Sequence, residues 1–258
     1  MLNVIPVPAL SDNYIWLLNN EHGDQVAIVD PGEAIPVLRK VKEDNLKPIA
    51  ILITHHHWDH VNGIDELLEN YSIPVYGPAS EQVKHRTHAL KQGDRVDLPE
   101  LELTIDIYDV PGHTAGAIAY FGRNILFSGD TLFTAGCGKL FEGTPAQMHD
   151  SLSKLAALPD ETLLYCGHEY TLNNLAFALA VEPYNTSIPA RLNEVKQLRE
   201  QGLPSVPSPM KMEKETNPFL RTQHKAVIEA ASQYAGKQLT QGAEVLAAIR
   251  HWKDHFSG

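Results

Sequence analysis

The stretch that most constrains this chain is Ile49-Ala50-Ile51-Leu52-Ile53, which runs straight into Thr54-His55-His56-His57-Trp58-Asp59-His60. An apolar segment of strand character stops at four histidines and an aspartate. Open α/β sheets place their chemistry at strand ends. In an extended backbone residues i and i+2 point the same way. His55 and His57 therefore present two imidazoles to one point, while His56 points elsewhere. Asp59 and His60 follow within one turn, just before a helical-looking Val61–Asn70, and reach a second point nearby. The pattern His-x-His-x-Asp-His thus reads as ligands for two metal ions from one loop. Imidazole with carboxylate suits Zn²⁺ and also admits Fe or Mn. A purification tag would sit at a terminus, not behind a strand.

Three further segments supply the ligands that this loop lacks. Pro111-Gly112-His113, Ser128-Gly129-Asp130 and Cys166-Gly167-His168 each follow a strand-like run with a glycine and then a His or Asp. One such end is an ordinary turn, whereas three of them beside the histidine loop predict a common point of convergence. His55, His57 and His113 can hold one ion, and Asp59, His60 and His168 the other. Asp130 is the natural bridge, and Asp59 and Asp130 are the candidate catalytic carboxylates. Catalytic zinc leaves a position open for water. A hydroxide shared by two ions about 3.5–4 Å apart is a strong nucleophile at neutral pH. No serine or cysteine nucleophile is then needed: Ser128 has no evident base, and Cys166 reads as a small packed hydrophobe. Asp30, at another strand end in Asp-Pro-Gly, is either a partner that orients a ligand histidine or a plain turn aspartate.

Along the chain, Asn13–Leu18 and Val26–Asp30 read as strands around a turn at 22–24. Ile35–Asn45 has helical spacing at Val37, Leu38 and Val41. Val75–Gly77 is a short strand, residues 80–99 look irregular and polar, and Leu101–Ile107 alternates as a half-buried strand does. Ile118–Phe121 and Ile125–Ser128 bracket a hairpin turn. Ala146–Leu158 reads as a helix and Thr162–Cys166 as a strand. After residue 171 strand-like runs disappear, and Asn173–Val181, Ile188–Gln201, His224–Tyr234 and Gly242–Phe256 read as helices. The expected organisation is a mixed α/β domain over 1–170 and a smaller all-helical domain over 171–258.

With 258 residues the chain can bury a substantial core, and its formal net charge of -11 disfavours nucleic-acid partners. Two cysteines imply no disulfide framework. The first residues lack the charged start and apolar core of a signal peptide, and no apolar run approaches the roughly 18 residues of a membrane span. The expectation is a cytoplasmic monomer with no membrane partner.

These residues carry a resemblance. Thr54–His60 with His113, Asp130 and His168 resembles the metallo-β-lactamase superfamily, which implies an αββα sandwich with a binuclear site at one sheet edge. Ser128–Phe133, Gly136-Cys137-Gly138-Lys139, Glu142-Gly143-Thr144, Gly167–Thr171 and Asn217–Arg221 resemble the glyoxalase II family within it. The resemblance runs from about residue 10 to the C-terminus. It implies a thioester hydrolase that cleaves S-D-lactoylglutathione to D-lactate and glutathione, the second step of methylglyoxal detoxification, with two divalent ions per chain. It also implies glutathione contacts at Lys139, Tyr170, Arg250 and Lys253. Phe141 departs from the family pattern, where many relatives have a tyrosine. The competing readings are another binuclear hydrolase of the superfamily, such as a different thioesterase or a lactonase, and a metal-binding module without hydrolysis.

Overall fold

The computed structural model describes residues 2–240 and 242–256. They form two compact units. The first comprises the described residues up to Asp109 with Ala115–Gly129 and Gly167–Glu169; the second comprises Val110–Thr114, Asp130–Cys166 and the described residues from Tyr170 onward.

The first unit begins with strands β1 (Leu2–Ala9), β2 (Asn13–Asn20) and β3 (Gln25–Val29), helix α1 (Ala34–Glu43) and strand β4 (Lys47–Leu52). Helices α2 (Trp58–Val61) and α3 (Ile64–Asn70) follow, then strands β5 (Val75–Pro78) and β6 (His88–Leu90). These strands form one sheet in the order β1-β2-β3-β4-β5-β6, antiparallel from β1 to β3 and parallel from β3 to β6. Strands β7 (Arg95–Leu98), β8 (Leu103–Asp109), β9 (Ile118–Gly122) and β10 (Ile125–Gly129) pair antiparallel in a second layer.

The apolar face of α1, through Ala34, Val37 and Val41, packs with Ile64 and Leu67 of α3 on Ile15, Ile28 and Ile51 of the first sheet. Strand β2 is buried along nearly its whole length and β4 from Ala50 to Leu52, as strands covered on both faces must be. The second layer meets the end of β4 directly: the Tyr120 hydroxyl donates to the Ile53 carbonyl (2.8 Å), and the Ile118 amide to the Thr54 carbonyl (2.9 Å). Burial, with the nearby Asp30 carboxylate, pushes the Tyr120 phenol well above its ordinary value, so it stays a donor.

The second unit holds the hairpin β11 (Leu132–Phe133) and β12 (Gly136–Cys137), helix α4 (Pro145–Ala156) and strand β13 (Leu163–Cys166). It continues with α5 (Thr171–Val181), α6 (Ser187–Glu200), β14 (Ser208–Pro209) paired with β13, α7 (Met210–Thr216), α8 (Lys225–Ala235) and α9 (Gly242–Asp254). Thr144 starts α4 with a capping box: its hydroxyl accepts from the Gln147 amide and Gln147 Oε1 accepts from the Thr144 amide, with Pro145 opening the helix. Among the described residues no helix is long and apolar enough to cross a membrane.

Several elements differ from expectation. Residues 80–99 contain strands β6 and β7. Leu101 lies in a one-turn 3₁₀ segment at Pro99–Leu101, and Glu102 takes a left-handed φ of 50°, so the alternating strand starts at Leu103. Val61–Asn70 is broken at Asn62-Gly63 into α2 and α3. Helix α7 lies between the helices expected at 188–201 and 224–234, and the short β14 departs from the expectation that strands end before residue 171.

Candidate metal centre

The histidine loop continues from β4, and its neighbouring rings are committed differently. The His56 imidazole turns to Glu81, whose Oε2 accepts from His56 Nδ1 (2.9 Å) and from the His56 amide (2.7 Å), while Glu81 Oε1 accepts from the Gly116 amide (3.0 Å). The His55 and His57 rings lie together, with centroids 4.8 Å apart. Asp59 and His60 sit on α2, and His168 approaches them: Asp59 Oδ2 is 3.6 Å from His60 Nε2 and 3.5 Å from His168 Nε2. One donor atom from each of Asp59, His60 and His168 lies within 4.8 Å of the others. Asn13 Nδ2 donates to Asp59 Oδ2 (3.0 Å) and holds that carboxylate in place.

In the second unit His113 Nε2 stands 3.5 Å from Asp130 Oδ2. The Lys139–Phe141 segment wraps His113, whose Nδ1 donates to the Lys139 carbonyl (2.9 Å) while its own carbonyl accepts from the Phe141 amide (3.2 Å). Gly138 makes this approach feasible, because a Cβ there would lie 2.0 Å from the Asp130 carbonyl oxygen and 2.9 Å from His113 Nδ1.

The chemistry of these contacts fits a metal. A carbonyl or carboxylate can only accept, so each Nδ1 that bonds one carries the proton, and in the neutral ring its Nε2 presents a lone pair. His113 meets the Lys139 carbonyl, His168 meets Asp12 (2.7 Å) and His60 meets Asp30 (3.1 Å). Thr54 Oγ1 donates to Asp30 Oδ2 (2.7 Å), so towards His55 Nδ1 (3.0 Å) it accepts. Four imidazoles thus have the tautomer that ligates through Nε2, each backed by the kind of partner that zinc-bound histidines use. Asp30, His55 and His60 also cluster within metal-binding distance. That grouping is not a coordination site: Asp30 spends its oxygens on Thr54 and on the rear nitrogen of His60.

Of the residues that the resemblance assigns to glutathione, Lys139 is exposed. Phe141 is 64% exposed, with its ring edge-on to His113 at 5.3 Å, and Tyr170 is 38% exposed and edge-on to Phe133 at 5.3 Å. Arg250 and Lys253 share α9 but not an environment. Arg250 is 6% exposed and lies over the Phe219 ring; its Nη1 donates to the Cys137 carbonyl (2.7 Å) and its Nη2 to Asp254 (3.1 Å). Lys253 is half-buried, lies over Phe177 and Phe256, and donates to Asn173. Burial, with Arg250 beside it, pushes the Lys253 ammonium down to about 8. Burial likewise pushes the Cys137 thiol up to about 11, which removes it as a nucleophile.

Sequence reasoning passed over Asp12, Asn13, Thr54 and Glu81. Each is a polar residue in a strand-end or turn position, where an unspecialised residue gives the same signal.

The metallo-β-lactamase superfamily model matches residues 10–168, and the model of the hydroxyacylglutathione hydrolase C-terminus matches residues 169–256. A hydroxyacylglutathione hydrolase from Nitrosomonas europaea is 54% identical over 258 residues, covering 100% of this chain and 98% of that protein. One from Nitrosomonas eutropha is 51% identical over 256 residues, covering 99% and 100%. Among solved structures, ETHE1 from Myxococcus xanthus superposes with a TM-score of 0.65 at 23% identity over 98% of each chain, which is a likeness of fold. The fold is therefore that of the metallo-β-lactamases with a helical C-terminal region, and the chain belongs to the hydroxyacylglutathione hydrolase family of that superfamily.

Proposed function

We propose that the chain hydrolyses 2-hydroxyacyl thioesters of glutathione in the cytoplasm, converting S-D-lactoylglutathione and water to D-lactate and glutathione, the second step of methylglyoxal detoxification. Membership of the family makes it a thioester hydrolase. The observation that carries the substrate is the identity to hydroxyacylglutathione hydrolases over the whole chain, C-terminal helices included. We take 1–170 as the metal-binding domain and 171–258 as the glutathione-binding domain, a division supported by family models that meet at 168/169.

The His/Asp donor set fits a divalent ion. We assign His55, His57 and His113 to one ion, Asp59, His60 and His168 to another, and Asp130 to both; zinc suits these donors best. Two such ions, when bound, supply a water nucleophile at neutral pH and polarise the thioester carbonyl. The chain's own part is to keep the Nε2 atoms of His55, His60, His113 and His168 aimed through their Nδ1 partners and to fix the Asp59 and Asp130 carboxylates. It also places Lys139 and Lys253 as local positive charge for an anionic substrate in a protein of formal net charge -11. The water oxygen bonds to the acyl carbon and the carbon–sulfur bond breaks. One water proton goes to the glutathione sulfur and the other is released from the acid.

Elemental analysis of undepleted protein should approach two divalent ions per chain. Chelation should abolish thioester hydrolysis, and adding the metal back should restore it. Full activity with a single tightly bound ion would sink the two-ion assignment. A panel of glutathione and coenzyme A thioesters tests the substrate, with the glutathione series expected to dominate kcat/KM.

Two smaller effects follow from the substrate side. The Lys253 pKa of about 8 means that its charge is present below pH 8 and lost above it. KM for lactoylglutathione should therefore climb between pH 7.5 and 9 with kcat flat, and Lys253→Met should erase that climb. A KM independent of pH would remove Lys253 from the substrate contacts. Because this pKa is lower in the fold than the ordinary 10.5, the unfolded chain binds more protons between the two values. Lys253 therefore makes stability rise with pH across that window. Phe141→Tyr places a hydroxyl on an exposed ring edge, and a new hydrogen bond nets about 0.5–1.5 kcal/mol. KM should fall several-fold at most, and an unchanged or higher KM would show that the ring edge faces no polar part of the substrate.

A further inference from the structure

Asp30 belongs neither to the ligand set nor to the substrate contacts, yet its carboxylate is fully committed at the base of the histidine loop. Oδ1 accepts from the Thr54 amide (2.8 Å); Oδ2 accepts from the Thr54 hydroxyl (2.7 Å) and from His60 Nδ1 (3.1 Å). The Thr54 hydroxyl, its proton spent on Asp30, accepts from His55 Nδ1 (3.0 Å). One carboxylate therefore sets the tautomer of two histidines, His60 directly and His55 through one hydroxyl. The two rings lie 4.2 Å apart, centroid to centroid, and all four residues are buried.

Two features show that the arrangement is built. Asp30 has a left-handed φ of 51°, which a non-glycine residue adopts at a cost unless its surroundings hold it there. Gly129, itself at φ 50°, lies against Thr54, and a Cβ at that position would stand 2.3 Å from Thr54 Oγ1. The strand-end glycine before Asp130 thus keeps open the space in which the hydroxyl makes its two bonds.

We propose that Asp30 is a positioning residue shared by both ions, holding a ligand of one through Thr54 and a ligand of the other through His60, so that a single carboxylate fixes the donor nitrogen in both subsites. This rests on the assignment of His55 and His60 to different ions. In Asp30→Asn, an amide Nδ2 facing Thr54 and His60 donates where the carboxylate accepted. The Thr54 hydroxyl is then released to donate to His55 Nδ1, and His60 Nδ1 must become an acceptor. Both rings change to the tautomer with the proton on Nε2, the nitrogen needed for the metal. Thr54→Val cuts only the branch to His55. Thr54→Ser keeps the hydroxyl and should behave as the parent does.

The test is made on the metal-free chain and on its titration. Nitrogen-15 correlation spectra of the apo protein should show His55 and His60 protonated at Nδ1 in the parent and in Thr54→Ser. Both should switch in Asp30→Asn, and His55 alone in Thr54→Val. Titration of apo protein with Co²⁺, followed by its absorption bands and by chelator competition, should show both dissociation constants raised about 10- to 100-fold in Asp30→Asn, and one of the two in Thr54→Val. Glu81→Gln serves as the control, since Glu81 braces the same loop through the His56 and Gly116 amides and the His56 ring; its two constants should stay within about threefold of the parent. Should Asp30→Asn fail to fold, Thr54→Val against Thr54→Ser decides, and equal constants in those two overturn the proposal. A parent that binds two ions, with Asp30→Asn unchanged or weakened at one ion only, overturns the shared role and leaves the function standing. A parent that binds one ion overturns the two-ion assignment itself.

Discussion

Asp130→Asn lowers turnover per bound ion by roughly 10²–10³-fold, on the scale of removing one preorganised electrostatic contact, while His56→Ala stays within a few-fold of the parent. The two residues both lie in the metal motifs, and the contrast comes from where each side chain is committed. Asp130 is 8% exposed, with Oδ2 3.5 Å from His113 Nε2. Asparagine preserves its size and removes the charge on which the proposed sharing between two cations depends. His56 spends its imidazole on Glu81, and in the alanine variant Glu81 keeps two backbone donors, the amides of residues 56 and 116. Activity should be normalised to the metal content of each variant. Equal losses would show that the facing of the loop is misassigned.

Arg250→Ala and Lys253→Ala should part company, although the residues sit three apart on one helix. Lys253→Ala raises KM for lactoylglutathione with kcat little changed, the pattern of a contact made equally in ground and transition states. Arg250→Ala removes a buried donor from the Cys137 carbonyl, two residues before the Lys139 carbonyl that holds His113 Nδ1. A lost hydrogen bond from a charged group costs about 1.5–3 kcal/mol. Melting temperature should fall, and kcat should fall with it by about tenfold as His113 loses its fixed orientation. A small neutral thioester separates the two: it should be cleaved normally by Lys253→Ala and poorly by Arg250→Ala. If Arg250→Ala raises KM alone with melting unchanged, the guanidinium serves the substrate and not the loop.

Much of the centre could be read from the chain because period and punctuation are local. The two-residue alternation of His55 and His57, and the repeated glycine before His113, Asp130 and His168, need no tertiary knowledge. Of what supports those residues, Asp30 was open between an orienting partner and a plain turn aspartate, while Asp12 and Thr54 were not read, since Asp12 meets His168 across 156 residues and the Thr54 hydroxyl is set by Asp30, 24 residues away. The missed strands have physical reasons too. Leu2–Ala9 carries Pro6 and Pro8, which read as breakers, but β1 is the edge of its sheet, where proline is tolerated. His88–Leu90 has three residues, too few for a period to show. The alternation of strand and helix patterns gave a mixed α/β domain, and the αββα layering came only from the family resemblance; the position of α7 was not legible, because its buried residues Met210, Glu213 and Thr216 include a carboxylate.

The carboxylate on α7 has a consequence for how such a chain can be divided or recombined. Five successive backbone groups in the hairpin are each satisfied by a side chain from beyond residue 171. Asn217 serves the carbonyls of Phe133 and Gly136, Asn174 that of Thr134, Arg250 that of Cys137, and Glu213 accepts the Ala135 amide. Burial raises the Glu213 pKa even against the donors from Ser208, Ala135 and Asn217. A chain cut where the two family models meet would strand all five groups, at about 1–3 kcal/mol apiece, a sum comparable with the roughly 5–15 kcal/mol that holds an ordinary domain folded. The boundary where the two family models meet thus has buried hydrogen bonds running across it. A graft of a foreign C-terminal segment onto residues 1–168 should succeed only if it brings its own residues 130–138, so that the hairpin travels with the helices that it hydrogen-bonds.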